Sequence, residues 1–314
     1  MPSEAAPNFF LARVRLQPQI DRRKRFVPES MTPLFHTPVY SRLTPDQALR
    51  YNQLNGLYFN ELVGQFEETL GREALGRMVR EDSLGLPAAL RNKVAGFLKE
   101  EIEHQVAFRR LNRLCEPAWY ADHAQAIVPP SWAATWPLRL ATRQLKYMSC
   151  LLWMILAIEE RAVWISIRSR ETGEDLEPNF SSLHRIHAED EERHILIDSE
   201  LLERIHGTLP LPLRKANARV FAWAVGAFLY TPGRASSAII AQLIREFPEL
   251  RPLRKRMLSE LAALGGTPSY QQMMYSREAT PRLFAAFDRY PEFHRMSDLL
   301  PSYWPQEVVP EHTF

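Results

Sequence analysis

The sequence predicts an all-α protein built on a four-helix bundle, and three observations carry that prediction. First, the 24 prolines of the 314-residue chain gather at its ends, seven before residue 46 and six after residue 260. Second, four long proline-free windows lie between them, at 46–86, 88–116, 138–177 and 179–209. Proline inside a helix costs about 3 kcal/mol, so such windows permit long helices, and each is rich in the helix formers Leu, Ala, Glu, Arg and Met. Third, no stretch alternates apolar and polar residues for long enough to read as a strand.

The elements follow in order. Thr44-Pro45-Asp46 opens the first long helix with a capping residue and a proline near the first turn. Leu86-Pro87 opens the second, Pro129-Pro130-Ser131 breaks the chain before the third, and Glu177-Pro178-Asn179 opens the fourth. The first two helices meet through a short link near Gly85 and are expected to be antiparallel neighbours. The second reaches the third by a long crossing through Cys115–Pro137, and the third and fourth join near 173–178. One long crossover among four helices predicts a ferritin-like four-helix bundle. Shorter helices are expected at about 213–230, 234–246, 250–264 and 279–289. The chain thus divides into an irregular proline-rich N-terminal arm (1–45), the bundle (46–209) and additional C-terminal helices packed on it in the same domain (210–314). The proline-rich ends are expected to cover the bundle or to make a subunit contact, as in a homodimer.

Composition excludes several classes. A net charge of +2 argues against a nucleic-acid binder, and the basic run Arg22–Arg25 reads as a solvated arm. Two cysteines, Cys115 and Cys150, cannot build a disulfide scaffold or a thiolate metal cluster, which points to a reducing, cytoplasmic setting. The longest clean apolar run, Leu151 to Ile158, is too short to span a bilayer, and Met1–Phe10 lacks the pattern of a signal peptide.

The chemistry-bearing residues lie inside the proline-free windows. In the second helix Glu101 and His104 are three apart and share a face. Leu90, Val94, Phe97 and Phe108 fall on that same face, so Glu101 sits in an apolar stripe where a lone carboxylate is costly. In the fourth helix His187, Glu191 and His194 fall on one face, beside Ile195 and Leu201. The chain holds three Glu-x-x-His pairs, the third being Glu203/His206. That one lies on the charged side of its helix and is set aside. A Glu-x-x-His pair from each of two helices, with a lone Glu from each of two others, is the carboxylate-bridged di-iron pattern.

The lone acids must come from the first and third helices. In the first, Glu67 lies at the edge of the apolar side, whereas Glu61 and Glu68 point toward solvent. In the third the choice is Glu159 or Glu160; the wheel mildly favours Glu159, but this helix is apolar nearly all round and discriminates poorly. Asp190 and Asp198 flank the ligand face as possible acceptors for histidine N–H groups, and His184 reads as a satisfied core or surface histidine. Oxygen and imidazole donors without thiolate suit iron, with manganese a possible substitute, more than zinc. The pocket walls are expected to include Leu54–Leu62, Phe97, Phe108 and the first two accessory helices.

Glu160-Arg-Ala-Val-Trp-Ile-Ser and Asp190-Glu191-Glu192-Arg193-His194 resemble segments of the soluble acyl-carrier-protein desaturases, where the Glu before Arg-Ala is a ligand. His187, four before Glu191, is not a desaturase feature. His-x-x-x-Glu-x-x-His resembles the p-aminobenzoate N-oxygenase (AurF-like) family of di-iron oxygenases, where it supplies a third histidine. That family places its third-helix Glu 27 residues before this histidine, which is the separation of Glu160 and His187. The resemblance, covering roughly 50–207, implies the metal set Glu67, Glu101, His104, Glu160, His187, Glu191 and His194, with Glu159 as the alternative in the third helix. Four carboxylates then balance two ferrous ions.

The same resemblance implies O2-dependent oxidation of an amine, often an arylamine, to hydroxylamine, nitroso or nitro level. No Gly-x-Gly-x-x-Gly fingerprint and no cysteine cluster is present, so electrons are expected from a separate ferredoxin or reductase. The competing readings are a di-iron desaturase or C–H hydroxylase, a ribonucleotide-reductase-like radical protein, which has no use for His187, and a non-catalytic ferritin-like iron protein, which has little use for such long flanks.

Overall fold

The computed structural model describes residues 10–81, 84–128, 136, 139–226 and 233–304. Its regular elements are helices: α1 (Phe10–Arg13), α2 (Pro45–Phe66), α3 (Arg72–Arg80), α4 (Ala88–Cys115), α5 (Cys150–Glu171), α6 (Pro178–Ile205), α7 (Leu211–Ala224), α8 (Gly233–Glu246), α9 (Arg254–Ala262), α10 (Pro268–Met274) and α11 (Pro281–Arg289). Among the described residues the one β-type pairing is an isolated bridge between Arg25 and Leu176.

The four long helices of the bundle are α2 with α3, α4, α5 and α6. Thr44 caps α2 reciprocally with Gln47: each side chain accepts from the other's backbone N–H, at 3.4 and 2.9 Å. α2 and α3 form one rod joined by a π-helical turn at Glu67–Gly71, which the sequence did not signal. A π turn inserts one residue and shifts the side chains that follow, and such turns recur at functional sites. Gly85 (φ 58°) closes the link before α4.

The third helix is shorter than its window. The chain turns through residues 143–149 and α5 starts only at Cys150. The side chain of Asn217 on α7 holds this break open: its Nδ2 donates to Tyr147 O and its Oδ1 accepts from Cys150 N, both at 2.8 Å. Gly173 (φ 64°) makes the turn to α6, whose first N–H groups at Asn179 and Phe180 donate to the Glu177 carboxylate. Pro129, Pro130 and Pro137, expected to punctuate the crossover, lie outside the described residues.

The N-terminal arm is not a solvated tail. Phe26 stacks on Phe180 with centroids 4.0 Å apart, and its backbone N–H donates to Asn52 Oδ1 at 2.9 Å. The basic run is spent on local pairs: Arg22 with Glu116, Arg23 with Asp21, Lys24 with Asp175 and Arg25 with Glu29. Arg22 and Arg23 keep their side chains largely in solvent, as a solvated run would, while each of the four cations also finds an acid on the bundle or in the arm. After α6, helices α7 and α11 pack on α5, while α8 packs along α2. No helix among the described residues is long and apolar enough to cross a membrane.

Candidate metal centre

Four bundle helices send acids and histidines into one buried place. α4 contributes Glu101 and His104, α6 contributes His187, Glu191 and His194, and the π turn contributes Glu67; all six are at most 6% exposed. Their donor atoms form two overlapping groups. One comprises Glu67, His104, His187 and Glu191; the other comprises Glu101, Glu191 and His194, and in each the ligand atoms lie within 4.8 Å of one another. Glu191 belongs to both.

The contacts are those of converging ligands. His104 Nδ1 lies 3.3 Å from both Glu101 Oε1 and Glu191 Oε1 and 3.6 Å from Glu67 Oε1, yet forms no hydrogen bond. Glu67 Oε2, Glu101 Oε1 and Glu191 Oε1 are likewise buried without a hydrogen-bond partner. Buried polar atoms that approach each other without hydrogen-bond angles lack a shared partner at the centre. A divalent cation with a taste for oxygen and imidazole fits this donor set.

Carboxylates hold the outer edges of two imidazoles. His104 Nε2 is 3.2 Å from Asp190 Oδ2, and His194 Nε2 is 2.8 Å from Glu100 Oε2. With the proton on Nε2, each ring turns an Nδ1 lone pair toward the cluster. Asp190 thus has the supporting position expected of it. Glu100 was missed; its signal is that Nε2 of a core-facing histidine needs an acceptor and Glu100 sits at the edge of the neighbouring helix.

Electrostatics follow from burial and crowding. Burial alone would lower His104 and His194, but the carboxylates around them outweigh it and raise both well above the usual range. Burial also pushes Glu67 up, reinforced by the Glu101 charge. Burial would raise Glu191 too, yet the flanking His187 and His194 hold it well below the ordinary carboxylate range.

The third helix brings Glu159, not Glu160, toward the cluster. Both Glu159 oxygens are buried and unpartnered. Burial first, then the charges of Asp198 and Glu191, with Glu101 contributing less, raise its carboxyl well above the usual range. Glu160 faces elsewhere: its Oε1 accepts from Arg282 N at 2.7 Å and its Oε2 from Leu283 N at 2.8 Å. It caps the N-terminus of α11, where unsatisfied N–H groups favour an anion. The 27-residue spacing thus picks the member of the adjacent pair that faces α11 rather than the cluster, because neighbours on a helix diverge by about 100°. Asp198 faces Glu159 rather than a histidine, and burial raises it to about 7.

Other expectations are also corrected. Glu61 is buried, accepting from Tyr120 Oη at 2.6 Å and from the N–H groups of Ala126, Ile127 and Val128, so it anchors the start of the crossover. Glu68 does lie at the surface, paired with Arg109. His206 stays out of the cluster but is fully buried, between Ser149, Trp153 and Glu292. His184 is buried with neither ring nitrogen hydrogen-bonded, against Phe59, Phe108 and Phe180, and burial drives it down to about 3.

Gly71 has a specific task. A Cβ there would meet Glu101 Oε2 at 3.1 Å, so the bare backbone of the π turn lets this carboxylate sit close. Phe97 and Phe108 do not line the cavity beside the bundle; they pack on His194 (3.9 Å) and His187 (4.9 Å). The cavity beside the bundle is lined by Asn55, Tyr58, Phe59, Leu62 and Val63 of α2, by Ile158 and Arg161 of α5, by Ile239 of α8 and by Tyr270 and Tyr275. α8 lines it as expected, whereas α7 does not.

Among known proteins, the family model described as P-aminobenzoate N-oxygenase AurF matches residues 16–255. No curated protein matches the chain.

Proposed function

The chain belongs to the p-aminobenzoate N-oxygenase family, and on that footing we propose that it is a non-haem di-iron oxygenase that oxidises an amine, most simply an arylamine, to the hydroxylamine, nitroso or nitro level. The observation that carries this reading is the pair of donor groups sharing Glu191. One iron would be held by Glu67, His104, His187 and Glu191. The other would be held by Glu101, Glu191, His194 and Glu159. When bound, two irons supply the reductive activation of O2.

The protein's own residues prepare the site. Asp190 and Glu100 accept hydrogen bonds from the outer N–H groups of His104 and His194 and fix the ring tautomers. Phe10, Phe97 and Phe108 pack against the three imidazoles and keep water from that side. The cavity reaches the bundle wall at Val63, one turn before Glu67, and at Ile158, next to Glu159. Its mixed aromatic and aliphatic lining suits the ring of an arylamine. Arg161 is its charged group: the guanidinium lies against Tyr275 and donates to Met273 O, and it has no carboxylate partner among the described residues. A cation left without its counter-ion in a cavity favours a substrate bearing an acidic group. The sequence offers no dinucleotide-binding fingerprint, so a separate electron donor serves the centre.

Metal analysis tests the first half of this reading: two irons per chain are expected, and none would refute it. The second half is tested by supplying O2 and a reductant with a panel of arylamines and following products by mass spectrometry. Oxygen appearing on nitrogen supports the proposal; hydroxylated or desaturated carbon would replace it.

A further inference from the structure

We propose that the N-terminal segment Phe10–Arg13 is a clamp that positions His104 and seals the histidine side of the centre. This rests on the reading of the cluster as a metal site and adds to it an element outside the segment that the family match covers, which begins at residue 16.

The clamp touches the site's support through Phe10, Leu11 and Arg13, the last of which also reaches the exposed Glu189 at 3.3 Å. Phe10 is fully buried, and its ring meets His104 edge-on at 4.3 Å and His187 at 6.4 Å. Arg13 pairs with Asp190, the carboxylate that accepts from His104 Nε2. The Leu11 backbone N–H donates to Glu103 Oε2 at 3.0 Å, tying the segment to α4 between Glu101 and His104 in sequence. The Arg13 guanidinium also lies 5.6 Å from the Phe10 ring, so the two side chains brace each other.

Burial decides which cation matters to Asp190. Asp190 is fully buried, the Arg13 side chain is 20% exposed, and the other partner, Arg193, is 51% exposed. Solvent screens the Arg193 pair, whereas the Arg13 pair is the desolvated one. Without Arg13, Asp190 loses its buried counter-charge and its fixed orientation. His104 then loses the acceptor that sets its tautomer, and the Nδ1 lone pair loses its aim. Supporting groups of this kind change metal affinity by about 10- to 100-fold when removed.

The test uses the full chain loaded with cobalt(II), whose visible bands report ligand geometry, and follows metal loss into excess chelator. Arg13→Met and Phe10→Ala should release cobalt at least tenfold faster than the parent protein and shift the visible bands, while Arg13→Lys restores much of the slow release. Arg23→Met removes an exposed pair with Asp21, away from the clamp, and should change neither readout. Arg13→Gln serves as the milder variant where Arg13→Met does not fold. Parental release rates and bands in folded Arg13 and Phe10 variants would overturn the clamp while leaving the metal reading intact. Failure of the parent protein to bind cobalt or iron would overturn the metal reading itself.

Discussion

Exchanging the two adjacent acids of α5 separates the structural assignment from the spacing argument. Glu160 binds two backbone N–H groups, Arg282 N and Leu283 N, one with each oxygen. Glu160→Gln keeps one acceptor and turns an amide N–H toward the other donor. A hydrogen bond to a charged group contributes about 1.5–3 kcal/mol. Burial raises Glu160 to about 7 against the opposing pull of those two N–H groups, so it is partly protonated at neutral pH. The loss should therefore fall toward the low end, about 2 kcal/mol, or a melting temperature lower by roughly 3 °C. Iron content should stay at two per chain. Glu159→Gln should do the reverse. It removes a carboxyl that faces Asp198 and Glu191, so the metal-free protein should melt no lower than the parent, while iron falls to one per chain or fewer. Metal analysis and calorimetry on the same samples read both quantities. An iron deficit in Glu160→Gln with full loading in Glu159→Gln would refute the assignment.

Three further outcomes follow from the geometry. Gly71→Ala places a methyl 3.1 Å from Glu101 Oε2; although Ala is favoured over Gly in a helix by about 1 kcal/mol, iron affinity should drop, as equilibrium titration would show, and unchanged affinity would remove Gly71's role. His184 is held near 3 in the folded chain against 6.5 in the unfolded one, so the unfolded state binds the extra proton and stability is lost as pH falls below 6.5. By pH 5 that loss is about 2 kcal/mol, and His184→Leu should lack it in urea titrations of the metal-free protein. Arg161→Met should weaken binding of 4-aminobenzoate by roughly tenfold or more, about the 1.4 kcal/mol of one lost charged contact, and leave 4-aminobenzamide unaffected in calorimetric titrations; equal loss for both would end the anionic-anchor reading.

What was legible in the sequence is what periodicity encodes. Proline spacing located α2, α4 and α6 because a helix interior excludes proline, and paired Glu-x-x-His steps on apolar faces located Glu101, His104, Glu191 and His194. The failures arise where a side chain's fate depends on another element. Glu160 and Glu159 are indistinguishable until the α11 N-terminus claims one of them. Glu61 looks solvent-facing until the 126–128 segment folds onto it. The shortened α5 depends on Asn217, a residue 67 positions from Cys150. The π turn at Glu67 leaves no periodic trace, because one inserted residue shifts the phase only locally.

The cluster's charge balance supplies the last argument. The ion pairs of Arg13 and Arg193 reach it only through Asp190 and Glu100 at its rim. Inside, burial and mutual repulsion push Glu67 and Glu159 up, while the carboxylates hold His104 and His194 well above the usual range. Protons therefore stand where a cation would, on groups that ligate only after losing them. Filling the centre with ferrous iron at pH 7 must release those protons to solvent. The same linkage makes loading weaken as pH falls, because more protons compete for the same lone pairs. Calorimetric titration of iron in two buffers of different ionisation enthalpy reads the release directly. Buffer-independent heats would mean that the donors are already deprotonated and that the cluster's neutrality comes from elsewhere.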